Sequence, residues 1–329
     1  MSEAATSQTE ARVPAARLAA FITRAFVAAG LPKEDAEIVA GLMAEADLRG
    51  SDTHGVIRLP IYLRRIRAGG VNAKPNISVV SDRPSAALID GDNAMGHLVM
   101  RRATHLAIDK AKATGIGWVG ARMSNHAGPA ALYATLPLHQ DMIGLYFAVG
   151  SNNHLPPWGG AENLLGTNPL CVAVPAKDEP PIVLDMAPTV AAFGKVRLKA
   201  QRGEAMPVGW MIDRDGKPLT DPKRADEGYL LPIGDYKGYG LSLIIGILAG
   251  ALNRAAFGRD ESRIAIFPFN LGLNRSSNVL ISTPLAKSVL RNIEWATELL
   301  KVKTVCPLSP KTYLGSRQLD MSLTSGKTK

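Results

Sequence analysis

Lys112-Ala-Thr-Gly-Ile-Gly-Trp-Val-Gly-Ala121 decides what kind of fold this chain can adopt. Within it, Gly115-x-Gly117-x-x-Gly120 matches the dinucleotide fingerprint, in which a strand leads into the glycines and a helix leads out, so that phosphate meets the helix N-terminus. Here the surroundings are reversed. An amphipathic pattern from His97 to Thr114 runs into the motif as a helix, and Ile116 to Met123 leaves it as a buried strand. Gly115 therefore reads as a helix C-cap, and no Rossmann turn is expected. A chain of this kind that holds a nicotinamide must hold it on another fold.

Around this motif the pattern is mixed. Pro14 and Pro32 suit first-turn positions and Gly30 and Gly50 suit C-terminal caps, which predicts helices over residues 14–29 and 32–49. Glu34, Asp35 and Glu37 lie favourably near the second helix start. A third helix is expected from Leu59 or Pro60 to Ala68, stopped by Gly69-Gly70. Strand patterns then appear at Ile77-Ser-Val-Val-Ser, Ala86-Ala-Leu-Ile-Asp, Met142 to Val149, Leu170 to Pro175 and Ile182 to Leu184, and Asp213-Arg-Asp-Gly216 carries a tight-turn signal. The apolar run from Gly238 to Leu252 is shorter than the roughly 20 residues a membrane span needs, so a buried core helix is expected.

The 329 residues are 46% hydrophobic and 20% charged, which excludes disorder, collagen-like repeats and a disulfide scaffold. A net charge of +9 suggests an anionic partner, but its location argues otherwise. From Glu261 to Lys329 there are ten Lys and Arg against four acids, so most of the excess lies in the last 69 residues. No recognised nucleic-acid motif or aromatic interleaving accompanies that charge, and neither a nucleic acid nor a membrane is expected as partner. Cys171 and Cys306 form no metal-binding pair, so no metal site is expected and a reducing cytoplasm is the natural setting. Met1 to Arg12 reads as a frayed arm without the apolar stretch of a secretory signal.

Two of the six histidines lie among polar and glycine residues on expected loops. In Ser51-Asp-Thr-His54-Gly-Val-Ile-Arg58-Leu-Pro60, the histidine and arginine lead toward a helix N-terminus, where an anion is favoured. A guanidinium can hold a carboxylate through two hydrogen bonds, and an imidazole can exchange a proton near neutral pH. A helix cap with a solvated His and Arg fits the same spacing. Ser124-Asn-His126-Ala-Gly128 follows a strand, a common place for an acid or base, though a satisfied loop histidine fits equally well. His97 and His105 fall in a helical pattern and read as surface or packing residues. Asp185 ends a strand, where it can orient a histidine or a ligand hydroxyl or cap a helix. Lys237 stands where an apolar helix begins and can meet phosphate or ribose. Walker, zinc-protease and serine-hydrolase motifs are absent.

In order along the chain, Ala46-Asp-Leu-Arg-Gly-Ser-Asp-Thr-His-Gly-Val-Ile-Arg-Leu-Pro60, Ser124-Asn-His-Ala-Gly128, Pro157-Trp-Gly-Gly160, Leu165-Gly-Thr-Asn-Pro169, Leu184-Asp-Met-Ala187, Gly194-Lys195 and Leu231-Pro-Ile-Gly-Asp-Tyr-Lys-Gly-Tyr-Gly240 resemble the type 2 malate/L-lactate dehydrogenase family. That family includes sulfolactate and ureidoglycolate dehydrogenases, diketogulonate reductase and a cyclic-imine carboxylate reductase. The resemblance spans about residues 14–260. It implies an α/β chain with a non-Rossmann, mixed-sheet cofactor domain over 77–283 and a mainly helical dimerisation domain formed by 1–76 with 284–329. It also implies a cytoplasmic homodimer that uses NAD or NADP to interconvert a small 2-hydroxy acid, of malate, lactate or sulfolactate type, with its 2-oxo acid. Ureidoglycolate or a cyclic imine is the alternative substrate, and a catalytically impaired dimeric relative is the alternative to an enzyme. By position, His54 and His126 match histidines that donate or accept the proton, Arg58 the substrate-carboxylate arginine, and Ser151, Asp185, Met186, Ala187 and Lys237 the cofactor contacts.

The resemblance fades after Arg259. Arg275 matches a substrate-side arginine only loosely, and Tyr313-Leu-Gly-Ser316 stands where members carry Leu-Pro-Gly-Glu. Within the matched region Pro188 replaces a threonine, and Asp235 replaces a glycine.

Overall fold

A computed structural model describes residues 12–150, 153–160, 162–176 and 179–255, together with the backbone of 276–284. Three helices come first: α1 (Ala15–Ala28), α2 (Lys33–Leu48) and α3 (Leu59–Arg67). Pro14 and Pro32 stand one residue earlier than expected, as N-caps with extended ψ, because their fixed φ suits the turn into the helix as well as its first turn. Ile22, Phe26, Val39, Met43, Tyr62 and Ile66 bury their side chains between these helices, and Met95 and Leu98 of the following segment close that core.

Among the described residues the main sheet has seven strands, in the order β1-β2-β3-β9-β4-β5-β6. These are β1 (Ser78–Asp82), β2 (Ala86–Ala94), β3 (Gly117–Ser124), β4 (Met142–Ala148), β5 (Leu170–Val174), β6 (Ile182–Met186) and β9 (Ser276–Pro284). Only β2 and β3 pair in parallel; the other neighbours are antiparallel. The parallel pair is joined by the crossover helix α4 (Gly96–Thr114), as parallel strands require. Val99, Met100, Ala103 and Ala107 of α4 pack on Ile89, Val119, Tyr133 and Tyr146 of the sheet core. Thus α4 serves two cores at once, and its first five residues are all buried.

The glycines that imitate a dinucleotide motif serve this packing. Gly115 caps α4 in the left-handed conformation, at φ 86°. A Cβ on Gly117 would overlap the Ala107 carbonyl oxygen of α4, and one on Gly120 would overlap the Asn253 side chain. The spacing reflects close approach of α4 and the Ala251–Asn253 turn to β3.

A smaller unit follows β6. Helix α6 (Phe193–Arg202) and the hairpin of β7 (Met211–Asp213) and β8 (Gly228–Leu230) bury Val196, Met206, Met211, Leu219 and Leu230. The Asp213–Gly216 turn forms as expected, with Gly216 N–H donating to the Asp213 carbonyl at 3.1 Å. Helix α7 (Tyr236–Ala249) buries Ser242, Ile245, Gly246 and Ala249 while leaving Leu241 and Ile244 partly open. The fully buried Asn168 fastens α7 to the 165–169 loop: its amide donates to the Ser242 carbonyl at 2.8 Å and its oxygen accepts from Gly150 N–H at 3.0 Å. No helix among the described residues is long and apolar enough to cross a membrane.

Two substitutions test this packing. Gly117→Ala should lower the free energy of unfolding by at least about 2 kcal/mol in urea titration, because Ala107 backbone must move. Asp235 sits at φ 58° and ψ −126°, a region that suits glycine. Asp235→Gly should therefore raise stability by about 1 kcal/mol. An unchanged urea midpoint in either variant contradicts the corresponding contact or strain.

Candidate active site

The loop between α2 and α3 is folded by its own motif. The Asp47 carboxylate turns back and accepts the Val56 N–H at 2.8 Å, occupying the space where Gly55 has no side chain. Arg58 Nε donates to the Thr53 carbonyl at 2.6 Å, and Thr53 Oγ1 lies 2.8 Å from His54 Nδ1. His54 N–H donates to the Ser51 carbonyl at 2.8 Å. Asp47, Thr53, Gly55 and Arg58 thus hold His54 as the half-buried head of a rigid turn, with Pro60 in the first turn of α3 behind it.

His126 is placed by the opposite wall. The first turn of α4 presses so closely on the loop after β3 that a Cβ on Gly96 would overlap the Asn125 carbonyl oxygen. The Asn125 amide donates to the carbonyls of Asn93 and Ala94 at 2.9 and 3.0 Å, fixing the loop to the end of β2. His126 emerges stacked on His54, with ring centres 5.3 Å apart and planes inclined by 21°. The two histidines expected from separate motifs are therefore neighbours.

Hydrogen bonding assigns the His126 tautomer. Gly128 N–H, which can only donate, lies 3.3 Å from Nδ1, and Tyr62 Oη lies 2.5 Å from the same nitrogen. Burial raises the Tyr62 pKa, with Arg58 and Arg65 only partly opposing it, so its hydroxyl keeps its proton and donates. Nδ1 consequently carries the lone pair, and Nε2 carries the proton.

Burial also keeps these rings neutral. It pushes His54 down to about 4, with help from the Arg58 cation. His126 falls well below the ordinary histidine value through burial, then through the fields of His54, Arg58, His97 and Arg65. Positive charge in this cluster is left to the guanidinium groups.

Sequence patterns missed three members of the cluster. Tyr62 and Arg65 follow Arg58 at spacings of four and three, which places all three on one helical face. Arg65 Nε is buried without a hydrogen-bond partner among the described residues. His97, read from its pattern as a surface or packing residue, is completely buried, with its ring 5.9 Å from that of Tyr62 and nearly perpendicular to it. Spacing on the α3 face was the available signal for Tyr62 and Arg65; His97 had none. Two other histidines, His105 and His139, lie exposed. His154 stacks on Phe193 at 4.1 Å, and Arg197 lies 5.2 Å over the Phe193 ring.

The expected cofactor residues lie along a connected edge. Asp185 and Met186 end β6, the outer strand of the sheet, and Ala187 follows. Asp185 Oδ2 accepts the Ala131 N–H at 2.8 Å, at the start of α5 (Ala131–Ala134). Burial raises its pKa, while that hydrogen bond and Arg49 lower it. Arg49 itself donates to Thr135 Oγ1 at 3.2 Å, so the end of α2, the His126 loop and β6 meet around α5. Beyond Ala187, Val190 N–H and Ile233 N–H pair with Leu231 and Pro188 carbonyls, and Lys237 follows as an exposed residue in the first turn of α7. Because Pro188 contributes its carbonyl to this pairing, its missing N–H does not interrupt it. Gly194 of α6 packs against Thr53, where a Cβ would lie 3.2 Å from its methyl group, so the segment after β6 abuts the His54 turn. Ser151, Arg275 and Tyr313–Ser316 lie outside the described residues, as do 285–329 of the expected helical domain. No group of three or more His, Cys, Asp or Glu among the described residues is placed to hold a metal.

Comparison with known proteins identifies the family and the fold. A family model described as malate/L-lactate dehydrogenase matches residues 13–267. The malate dehydrogenase of Pyrococcus horikoshii is 46% identical over 250 residues, covering 74% of this chain and 69% of the relative. Among solved structures, the sulfolactate dehydrogenase of Methanocaldococcus jannaschii superposes with a TM-score of 0.76 at 34% identity, covering 91% of this chain and 86% of that one. The Δ1-piperideine-2-carboxylate reductase of Pseudomonas syringae gives 0.76 at 28% identity over 90% of each chain. By sequence match, motif order and fold, the chain belongs to the malate/L-lactate dehydrogenase family.

Proposed function

We propose that this chain interconverts a small 2-hydroxy acid and its 2-oxo acid with NAD or NADP, and that the stacked His54–His126 pair beside Arg58 is its reaction centre. The pair carries the reading: two neutral imidazoles stacked 5.3 Å apart, with a guanidinium on the same turn, suit an anionic substrate whose oxygen must gain or lose a proton. Arg58 holds the C1 carboxylate and so fixes which face of C2 is presented. His126, with its proton on Nε2, passes that proton to the C2 oxygen as the Tyr62 hydroxyl passes its own to Nδ1; the imidazole stays neutral, and the Tyr62 phenolate, beside Arg58 and Arg65, then takes a proton from water. His54 lines the opposite side of the imidazole and, with Thr53 on its Nδ1, keeps the pair aligned.

The residues of the β6 edge fit a dinucleotide. Asp185 spends one carboxylate oxygen on Ala131, leaving the other for a hydroxyl donor, and Lys237 offers a cation in the first turn of a 14-residue helix. Asp185, Met186, Ala187 and Lys237 would hold the cofactor, which when bound supplies or accepts the hydride at C2. Arg65 favours substrates with a second anionic group, such as malate or sulfolactate, over lactate, because its buried Nε has no hydrogen-bond partner among the described residues. We further propose a homodimer whose helical domain combines 1–76 with 284–329. The open apolar side chains of β6, Ile182, Val183 and Leu184, support a covered edge in the assembly. The buried free thiol of Cys171 suits a reducing cytoplasm.

His126→Ala should lower kcat by about a hundredfold to ten-thousandfold with a modest change in KM, whereas Arg58→Ala should act chiefly on the KM of the acid. Undiminished turnover of every 2-oxo acid in His126→Ala and His54→Ala alike would remove the pair from the mechanism. Arg65→Met should cut the kcat/KM ratio of malate to lactate, and an unchanged ratio contradicts the second-anion assignment. Both histidines have depressed pKa values in the folded chain, so they are neutral above that range and gain protons only in acid. Accordingly kcat/KM for oxidation should show no histidine ionisation between about pH 5 and 8. A transition centred near the ordinary value of 6.5 would contradict their burial.

A further inference from the structure

His97 is an imidazole buried at 0% exposure in the first turn of α4, with neither ring nitrogen hydrogen-bonded among the described residues. An unpaired buried N–H costs roughly 1–3 kcal/mol, so the ring is not there for a hydrogen bond. Its neighbours explain what it does. Its ring stands nearly perpendicular to that of Tyr62, at 78° and 5.9 Å. Its Nε2 lies under Gly128, only 3.2 Å from where a Cβ on that glycine would sit. Gly128, at φ 80°, thus borders His97 and Leu132 with little room for a side chain, a Cβ there lying 3.2 and 3.4 Å from them.

Tyr62 and Gly128 are the two groups that donate to His126 Nδ1. One buried ring therefore braces both donors that set the tautomer of the proposed proton-transferring histidine. We propose that His97 is a positioning residue, which keeps Tyr62 and Gly128 on His126 Nδ1 and so keeps the exchangeable proton on Nε2. The inference rests on the reading of His126 given above for its catalytic consequence, but not for its structural one. The groups that face this centre are His54 and Arg58 from the α2–α3 turn, Tyr62 and Arg65 from α3, and His97 from α4.

Packing argues that the shape of the ring matters. A smaller side chain leaves a void into which Tyr62 can turn, and a larger one collides with Gly128. His97→Ala should loosen both donors, His97→Leu should refill most of the volume, and Gly128→Ala should press the same contact from the other side.

The test uses the full chain labelled with 15N in histidine, without substrate or cofactor. Two-bond proton–nitrogen spectra report the tautomer of each imidazole, and the His126 signals are assigned by their loss in His126→Asn. The native chain should show His126 as the Nε2–H form alone, His97→Ala should show a mixture, and His97→Leu should recover most of the native form. In turnover, His97→Ala should lose about tenfold or more in kcat while KM changes little. Should His97→Ala fail to fold, Gly128→Ala should produce the same tautomer mixture. A single unchanged Nε2–H form in His97→Ala or in Gly128→Ala overturns the proposal, as does a loss of kcat without any change of tautomer. Because the spectra need no reaction, they stand even where His126→Ala shows that another group transfers the proton.

Discussion

The contact on which the molecule turns is the one between the first turn of α4 and the loop after β3. At Gly96 the helix backbone meets the Asn125–His126 backbone with no room for a methyl group. That contact lets α4 and its N-cap close two cores, the helical one through Met95 and Leu98 and the sheet core through Val99 and Met100. Since interiors are close-packed and deform little, the distance between the helical region and the sheet is set there. His54 comes from the helical side and His126 from the sheet side, so their stacking follows from the same contact.

Burial then determines the chemistry available. Two imidazoles packed against each other beside arginines lose the protonated form, and the cluster becomes one of neutral rings flanked by guanidinium groups. Such a cluster offers the Arg58 and Arg65 guanidinium groups as its positive charge, beside uncharged rings. A protonated pair would put two like charges in contact beside arginines, which burial and those cations oppose. The Tyr62 hydroxyl completes the arrangement, because burial keeps its proton in place and makes it a donor to His126.

Local signals in the chain were enough for most element boundaries. Proline and glycine punctuation bounds α1, α2 and α3, and the helix-before-strand order around Gly115 correctly excludes a Rossmann turn, as the single parallel pair of the sheet agrees. The order of strands was not legible. β9 enters between β3 and β4, a pairing made over more than a hundred residues that no local pattern reports. In the site, His54, Arg58 and His126 were visible because loops rich in glycine and polar residues advertise them. Tyr62 and His97 looked like ordinary helix residues, since what distinguishes them is a neighbour from another element. The decoy glycines at 117 and 120 carry the complementary lesson: glycine reports close approach, and only the structure says of what.

Hydride transfer to C2 is the central claim, and it can be followed atom by atom. Reduced NAD and NADP carrying deuterium on one or the other face of nicotinamide C4 would be incubated with the full chain and a panel of 2-oxo acids, and the products examined by NMR. Deuterium should appear at C2 of a 2-hydroxy acid, from one face only. Products free of deuterium at C2 from either face of either cofactor, across the panel, would contradict it.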